Sequence, residues 1–246
     1  MTVPAWTEAA LGPCGRAAVW RVDLGLDDAR RAACLALLCE EERGRAQRFA
    51  RMQDRDRFIA SHAALRMILA SEVGADPAAL VFETEAAGKP ALGGAFRGAL
   101  AFNLSHSGSL ALVALAPAAR IGVDVEAVRP LEDCLRIARS HFAPSEVRAL
   151  SRLSGARLTD AFFACWTCKE AFVKATGGGL PVGLDSFAVA IPPAPAALVE
   201  IDGDRAGGRA WTLLAIAPAR SYAGAVAIEQ PDAACALLAL RPGWLG

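Results

Sequence analysis

The stretch Ile121-Gly122-Val123-Asp124-Val125-Glu126 alternates apolar and polar residues, the period of an extended strand. Ile121, Val123 and Val125 then share one face, and Gly122, Asp124 and Glu126 the other. Two strand steps set the carboxylates about 7 Å apart. Like charges that close repel unless something cationic stands between them. Hard oxygen donors so arranged suit Mg2+, which takes one or two carboxylates and completes its shell with water and phosphate oxygens. A solvated strand face is the plainer alternative, and the strongly apolar neighbours speak against it.

A second stretch, Phe162 to Lys174, reads as helix and is stopped by Gly177-Gly178-Gly179. Glu170 and Lys174 are four apart and share a helix face. A surface Glu–Lys pair at that spacing is ordinary, yet a segment this rich in Phe and Trp is not freely exposed. At the edge of an apolar helix the carboxylate suits a third metal ligand or a base, and the ammonium a phosphate-binding cation or an acid. In Phe102-Asn103-Leu104-Ser105-His106-Ser107-Gly108, Ser105 and His106 are adjacent and point to opposite sides of an extended chain. That argues against a nucleophilic dyad. It leaves either an anion-binding junction or a turn with a satisfied histidine.

Arg43, Arg45, Arg48, Arg51, Arg55 and Arg57 form a basic run. It is a phosphate-recognition candidate or a solvated helix face. Only three of the 26 basic residues are lysines: Lys89, in the turn Gly88-Lys89-Pro90, then Lys169 and Lys174. Where Arg supplies nearly every cation, a surviving Lys can mark a place for a compact charge or a proton that leaves; chance in an Arg-biased chain is the alternative.

The elements that must position these residues follow from periodicity. Residues 17–23 read as a strand, and Asp27 and Asp28 open a helical segment reaching about Phe49. A second helix spans 54–73 with Phe58, Ile59, Leu65, Ile68 and Leu69 in its apolar stripe. Asp76-Pro77 ends it. Strands are predicted at 79–83, 100–104 and 109–116, with a loop over 88–98. The order then recurs: a strand at 120–127, helices at 131–140, 144–153 and 158–175, and strands at 184–191, 209–217 and 222–228. Two such halves of a 246-residue chain would enclose a ligand cleft.

Composition narrows the class. With 54% hydrophobic and 21% charged residues the chain is no disordered tail. A balance of 26 basic and 26 acidic residues argues against a nucleic-acid-coating role. The longest apolar run, Leu110–Ala119, is too short for a membrane span, contains Pro117 and reads as a buried strand. Glu8 and the absence of an early basic cluster predict no signal peptide. Seven scattered cysteines predict reduced thiols in the cytoplasm, with Cys165 and Cys168 plain buried thiols rather than a zinc or redox pair. Neither a G-x-x-x-x-G-K-[ST] loop nor a G-x-G-x-x-G fingerprint is present.

The residues alone describe Mg2+-assisted chemistry on a phosphate-rich ligand. The order Gly-Lys-Pro (88–90), Phe-Asn-Leu-Ser-His-Ser (102–107), Gly-Val-Asp-Val-Glu (122–126) and Trp-Thr-Cys-Lys-Glu-Ala-Phe-Val-Lys (166–174), then Gly179-Leu180 and Leu184-Asp185-Ser186-Phe187, resembles the two-lobed, Sfp-type 4'-phosphopantetheinyl transferases. The matching stretch covers roughly residues 40–190, and the pair G-x-D-x-E and W-[ST]-x-K-E-[AS]-x-x-K is specific where either half alone is weak.

The resemblance implies an α+β fold. Two similar lobes, residues 1–118 and 119–246, would form a pseudo-twofold duplication with coenzyme A in the cleft between them. It implies transfer of the phosphopantetheine arm of coenzyme A to a serine of an acyl, aryl or peptidyl carrier protein, releasing adenosine 3',5'-bisphosphate. It further implies Mg2+ on Asp124, Glu126 and Glu170, with Glu170 also the candidate base and Lys174 the cation at the pyrophosphate. Ser105, His106, Lys89 and, more loosely, Arg45 and Arg48 would contact coenzyme A. The expected protein is a cytoplasmic monomer without nucleic-acid or membrane partners. The alternatives are a non-catalytic relative binding carrier protein or coenzyme A, and a generic Mg2+-dependent nucleotide-binding or phosphohydrolase domain that matches the motifs by chance.

Overall fold

Residues 5–85, 88–177, 183–241 and 244–245 are described by a computed structural model. Strand β1 (Thr7–Ala9) precedes β2 (Ala18–Asp23). The Asp27 carboxylate accepts from the Arg30 N–H and starts helix α1 (Asp28–Leu37). The helical segment expected to run on to Phe49 breaks at Leu38. Leu38 is extended and buried, and Glu42 reaches back to the Cys39 N–H at 3.0 Å to start α2 (Glu40–Gln47). Helix α3 (Met52–Val73) ends on Gly74 at φ +70°.

The strand expected at 79–83 begins later. A 3-10 turn capped by Asp76 occupies Pro77–Ala79, β3 is Phe82–Thr84, and β4 (Pro90–Leu92) forms inside the expected loop. Then come the hairpin β5 (Ala101–Ser107) and β6 (Leu110–Ala116), β7 (Ile121–Ala127), α4 (Cys134–His141), α5 (Pro144–Leu150) and α6 (Gly155–Thr176). The chain finishes with β8 (Phe187–Val189), β9 (Leu198–Ile201), β10 (Thr212–Ile216), β11 (Tyr222–Ile228) and β12 (Ala236–Leu240). Gly177 closes α6 at φ +71°, whereas Gly178, Gly179 and Leu180 lie outside the described residues.

The fold is α+β, and one topology occurs twice. In the first unit β2 leads to the 22-residue α3, then to a hairpin whose second strand pairs with β2, giving β5-β6-β2. In the second, β7 leads to the 22-residue α6, then to a hairpin whose second strand pairs with β7, giving β10-β11-β7. Strand alternation builds three apolar layers. Trp20, Val22, Val113 and Leu115 face α3; Val19, Leu112 and Ala114 face Ile121, Val123, Val125 and Val226 of the second sheet; Ala225 and Ala227 face α6. The order is therefore helix, sheet, sheet, helix.

The expected second lobe does not keep its last strand. β12 runs parallel between β1 and β2 in the first sheet. Its Ala-Leu run lacks the alternation that marks a one-sided strand, and its partners lie at the other end of the chain. No helix among the described residues is long and apolar enough to cross a membrane.

Gly122 sets the distance between β7 and α6. A Cβ at that position would overlap the Ala171 carbonyl oxygen and the Ala175 amide nitrogen, which are backbone atoms that cannot swing aside. We expect Gly122→Ala to push α6 off β7 and cost about 3 kcal/mol. A thermal melt should show a fall of about 6–12 °C; an unchanged melt would mean that α6 can retreat freely.

Candidate active site

The close approach at Gly122 brings α6 over the polar face of β7, so that face is not solvated. Asp124 is 3% exposed. The Lys174 Nζ donates to its Oδ1 at 2.6 Å and to the Ser105 Oγ at 3.1 Å. Ser105 Oγ in turn donates to the same Oδ1 at 2.8 Å. The other oxygen, Oδ2, is buried and has no hydrogen-bond partner among the described residues. An orphaned carboxylate oxygen is costly unless a ligand supplies what the protein does not.

Glu126, two residues on, accepts from the Ser107 Oγ at 2.9 Å through Oε2. Its carboxyl is raised above the ordinary range by desolvation and then by the Asp124 charge, against the pull of Ser107 and Lys174. Glu170, partly buried on α6, is raised by desolvation, then by Asp124, with Lys174 opposing and Glu126 adding. The three carboxylates thus lie within one another's field, with one ammonium among them.

This donor set fits a hard divalent cation, which needs only one or two carboxylates when water and phosphate complete its shell. The fit rests on Asp124 Oδ2 and the mutual repulsion of the acids. Among the described residues, however, no three His, Cys, Asp or Glu side chains are gathered as a ready metal cage. The expected three-carboxylate ligand set of Asp124, Glu126 and Glu170 is therefore not closed in this structure, where the Lys174 ammonium sits on Asp124.

The other expected residues are dispersed around this centre. Ser105 is buried, and its hydroxyl is hydrogen-bonded to Asp124 and Lys174. His106 points to the opposite side of β5 and is solvent-accessible. Partial desolvation, then Lys174 and Arg57, hold its imidazole below the ordinary value. Lys89 donates to the backbone carbonyls of Ile121 at 3.0 Å and Ala175 at 3.4 Å, tying the β4 hairpin to β7 and α6. It lines a cavity of about 570 Å3 together with Glu85, Arg97, Phe102, Arg120 and Gly177. Arg45 and Arg48 are exposed, and the Arg45 guanidinium lies 5.2 Å from the Phe58 ring centroid.

Phe58 stacks on His62, with centroids 3.8 Å apart. The His62 Nδ1 is 3.0 Å from the Phe58 carbonyl oxygen, which can only accept, so Nδ1 carries the proton. Burial pushes His62 down to about 4; Glu42 and the Phe58 carbonyl oppose this, while Arg45 and His106 reinforce it. Below pH 6.5 the unfolded chain takes up a proton that folded His62 refuses, so stability falls as pH drops towards 4. Between pH 7 and pH 5 this one group contributes a loss of about 2 kcal/mol. Urea unfolding at both pH values should show that loss shrinking in His62→Gln.

Sequence reasoning passed over Asn103, Ser107 and Glu146, and gave Lys169 no role. The first two had a signal, a period-two polar face on β5. Lys169 is wholly buried and paired to Glu146 at 2.8 Å. Cys165 and Cys168 are buried on α6, and burial pushes the Cys168 thiol up to about 12.

A doubled α+β topology thus holds a carboxylate–lysine centre beneath the long helix of its second unit. The family model of the 4'-phosphopantetheinyl transferase superfamily matches residues 120–227, and that of the 4'-phosphopantetheinyl transferase N-terminal region matches residues 28–118. The 4'-phosphopantetheinyl transferase HetI of a Nostoc species is 36% identical over 211 residues, covering 85% of this chain and 86% of the relative. The 4'-phosphopantetheinyl transferase Sfp of Bacillus subtilis is 30% identical over 155 residues, covering 63% and 67%. This chain belongs to the 4'-phosphopantetheinyl transferase family.

Proposed function

We propose that this enzyme moves the 4'-phosphopantetheine arm of coenzyme A to a serine hydroxyl of an acyl, aryl or peptidyl carrier protein. The apo carrier becomes holo, and adenosine 3',5'-bisphosphate leaves. The observation that carries the reading is the Asp124–Lys174–Ser105 centre, its acid and hydroxyl buried, with Glu126 and Glu170 in its field, in a chain of this family. The serine oxygen attacks the phosphorus attached to the pantetheine arm, and the bond from that phosphorus to the bisphosphate oxygen breaks.

Glu170, one turn from Lys174 on α6 and within the field of Asp124, takes the serine proton. Lys174, aimed by Asp124 and Ser105, gives charge or a proton to the departing phosphate oxygen. Asp124 and Glu126, with Glu170 as a third carboxylate, would hold Mg2+, which when bound neutralises phosphate charge. Arg45, Arg48 and His106 face the coenzyme A phosphates, Lys89 lines the cleft between the lobes, and Ser105 acts through Lys174. Division into lobes at 118/119 is retained, with 236–240 assigned to the first.

The protein works as a cytoplasmic monomer. Seven free cysteines and a cleft built within one chain support this. The test is intact-mass spectrometry of apo carrier proteins incubated with the enzyme, coenzyme A and Mg2+. A gain of about 340 Da, one covalent phosphopantetheine, is expected. Coenzyme A binding without any mass gain, on carriers that another transferase of the family does convert, would favour the non-catalytic alternative.

A further inference from the structure

β5 and β7 lie side by side but belong to different sheets. Side chains from one face of β5 join them. Asn103 Oδ1 accepts from the Val123 N–H at 2.9 Å, and Ser107 Oγ accepts from the Ala127 N–H at 3.1 Å. Ser105 donates to Asp124 at 2.8 Å, and Ser107 donates to Glu126 Oε2 at 2.9 Å. Two serines one strand repeat apart thus meet two carboxylates one strand repeat apart, and each serine holds one oxygen of its acid.

We infer that Ser107 is a positioning residue for the cation site, fixing the Glu126 carboxylate so that a divalent cation meets it already oriented beside Asp124. This rests on the proposed role of those carboxylates. A hydroxyl has one proton to give. The Ala127 N–H, part of rigid backbone, takes up a lone pair of Ser107 and leaves the proton directed at Glu126. Glu126 sits near the end of β7, is only partly buried and carries three side-chain torsions. Left unheld, it would lose that freedom each time a cation bound. Asn103 is the internal comparison: it closes the same seam by accepting from the Val123 N–H, with no hydrogen bond to an acid among the described residues.

The test is direct Mn2+ binding by electron paramagnetic resonance, with free Mn2+ as the probe. Ser107→Ala should bind Mn2+ about tenfold more weakly. Ser107→Thr should restore parental affinity, and Asn103→Ala should stay within about twofold of the parent. Coenzyme A binding without cation should be the same in all four proteins. Parental Mn2+ affinity in Ser107→Ala overturns the inference, and so does an equal loss in Asn103→Ala, which would make the seam's stiffness the cause. If Ser107→Ala does not fold, Ser107→Cys, a weaker donor of similar shape, takes its place under the same criteria. Weakened binding in Asp124→Asn with none in Ser107→Ala sinks the positioning role alone. Unchanged binding in both sinks the cation reading beneath it.

Discussion

Replacing Asp124 by asparagine is expected to lower transfer to a carrier protein by about a thousandfold while the protein stays folded. The carboxylate is buried, and its Oδ1 receives both Lys174 and Ser105. Asparagine keeps the shape and one acceptor oxygen but removes the charge. Lys174 then lies beside a neutral amide, free to turn towards Glu170 or Glu126, and its ammonium is no longer held where the proposed mechanism uses it, at the leaving phosphate. The remaining acids stay desolvated but lose the Asp124 charge that raises them further, so both carboxyls move part of the way back towards the ordinary range. Stability should change far less, because Lys174 is 29% exposed and water can solvate it. Single-turnover formation of holo carrier, followed by intact mass beside a thermal melt, separates these effects. Transfer within tenfold of the parent would remove Asp124 from the centre of the reaction.

The residues of that centre were legible because each sits in a local pattern. The alternation of 121–126 predicts a strand with its acids on one face, and the spacing of 170 and 174 predicts one helix face. What local pattern did not reveal is where those faces go. The polar face of β7 is covered by α6, a contact written only in Gly122, whose missing side chain is informative once its neighbour is known. Asn103 and Ser107 have the right period, but their partners are 20 and 19 residues away on another strand. β12 was passed over for a related reason. A short parallel strand between two others shows an unbroken apolar run, Ala236 to Leu240, and such a run fits several structures equally well. The three lysines of this Arg-rich chain have three different settings. Lys174 serves the acids, Lys89 holds two backbone carbonyls, and Lys169 is wholly buried.

Lys169 carries the second large expectation: Glu146→Ala should cost about 3–5 kcal/mol of stability and lower the melting temperature by about 10 °C or more. Both members of the pair are out of water, at 0% and 1% exposure. Glu146 Oε1 accepts from Lys169 and from the Val189 N–H at 2.7 Å, while Oε2 accepts from the Ala143 N–H at 2.8 Å at the start of α5. Lys169 also donates to the Phe187 carbonyl at 2.7 Å and lies 4.2 Å from the Phe187 ring centroid. Burial pushes the Glu146 carboxyl up, and Lys169 with the two backbone donors pulls it back. Removing the acid leaves an ammonium with no counter-charge and two N–H groups without acceptors, at the junction of α5, α6 and β8. Replacing the pair together, Glu146→Leu with Lys169→Met, removes the stranded charge and should melt above Glu146→Ala alone. A double variant no more stable than the single one would show that the backbone bonds of Glu146, rather than its charge pairing, hold the junction. Since Lys169 immediately precedes Glu170, transfer by the double variant adds a separate reading. Activity retained at restored stability makes the pair a structural staple, whereas activity lost at restored stability means that it also sets the rotation of α6 that brings Glu170 to Asp124.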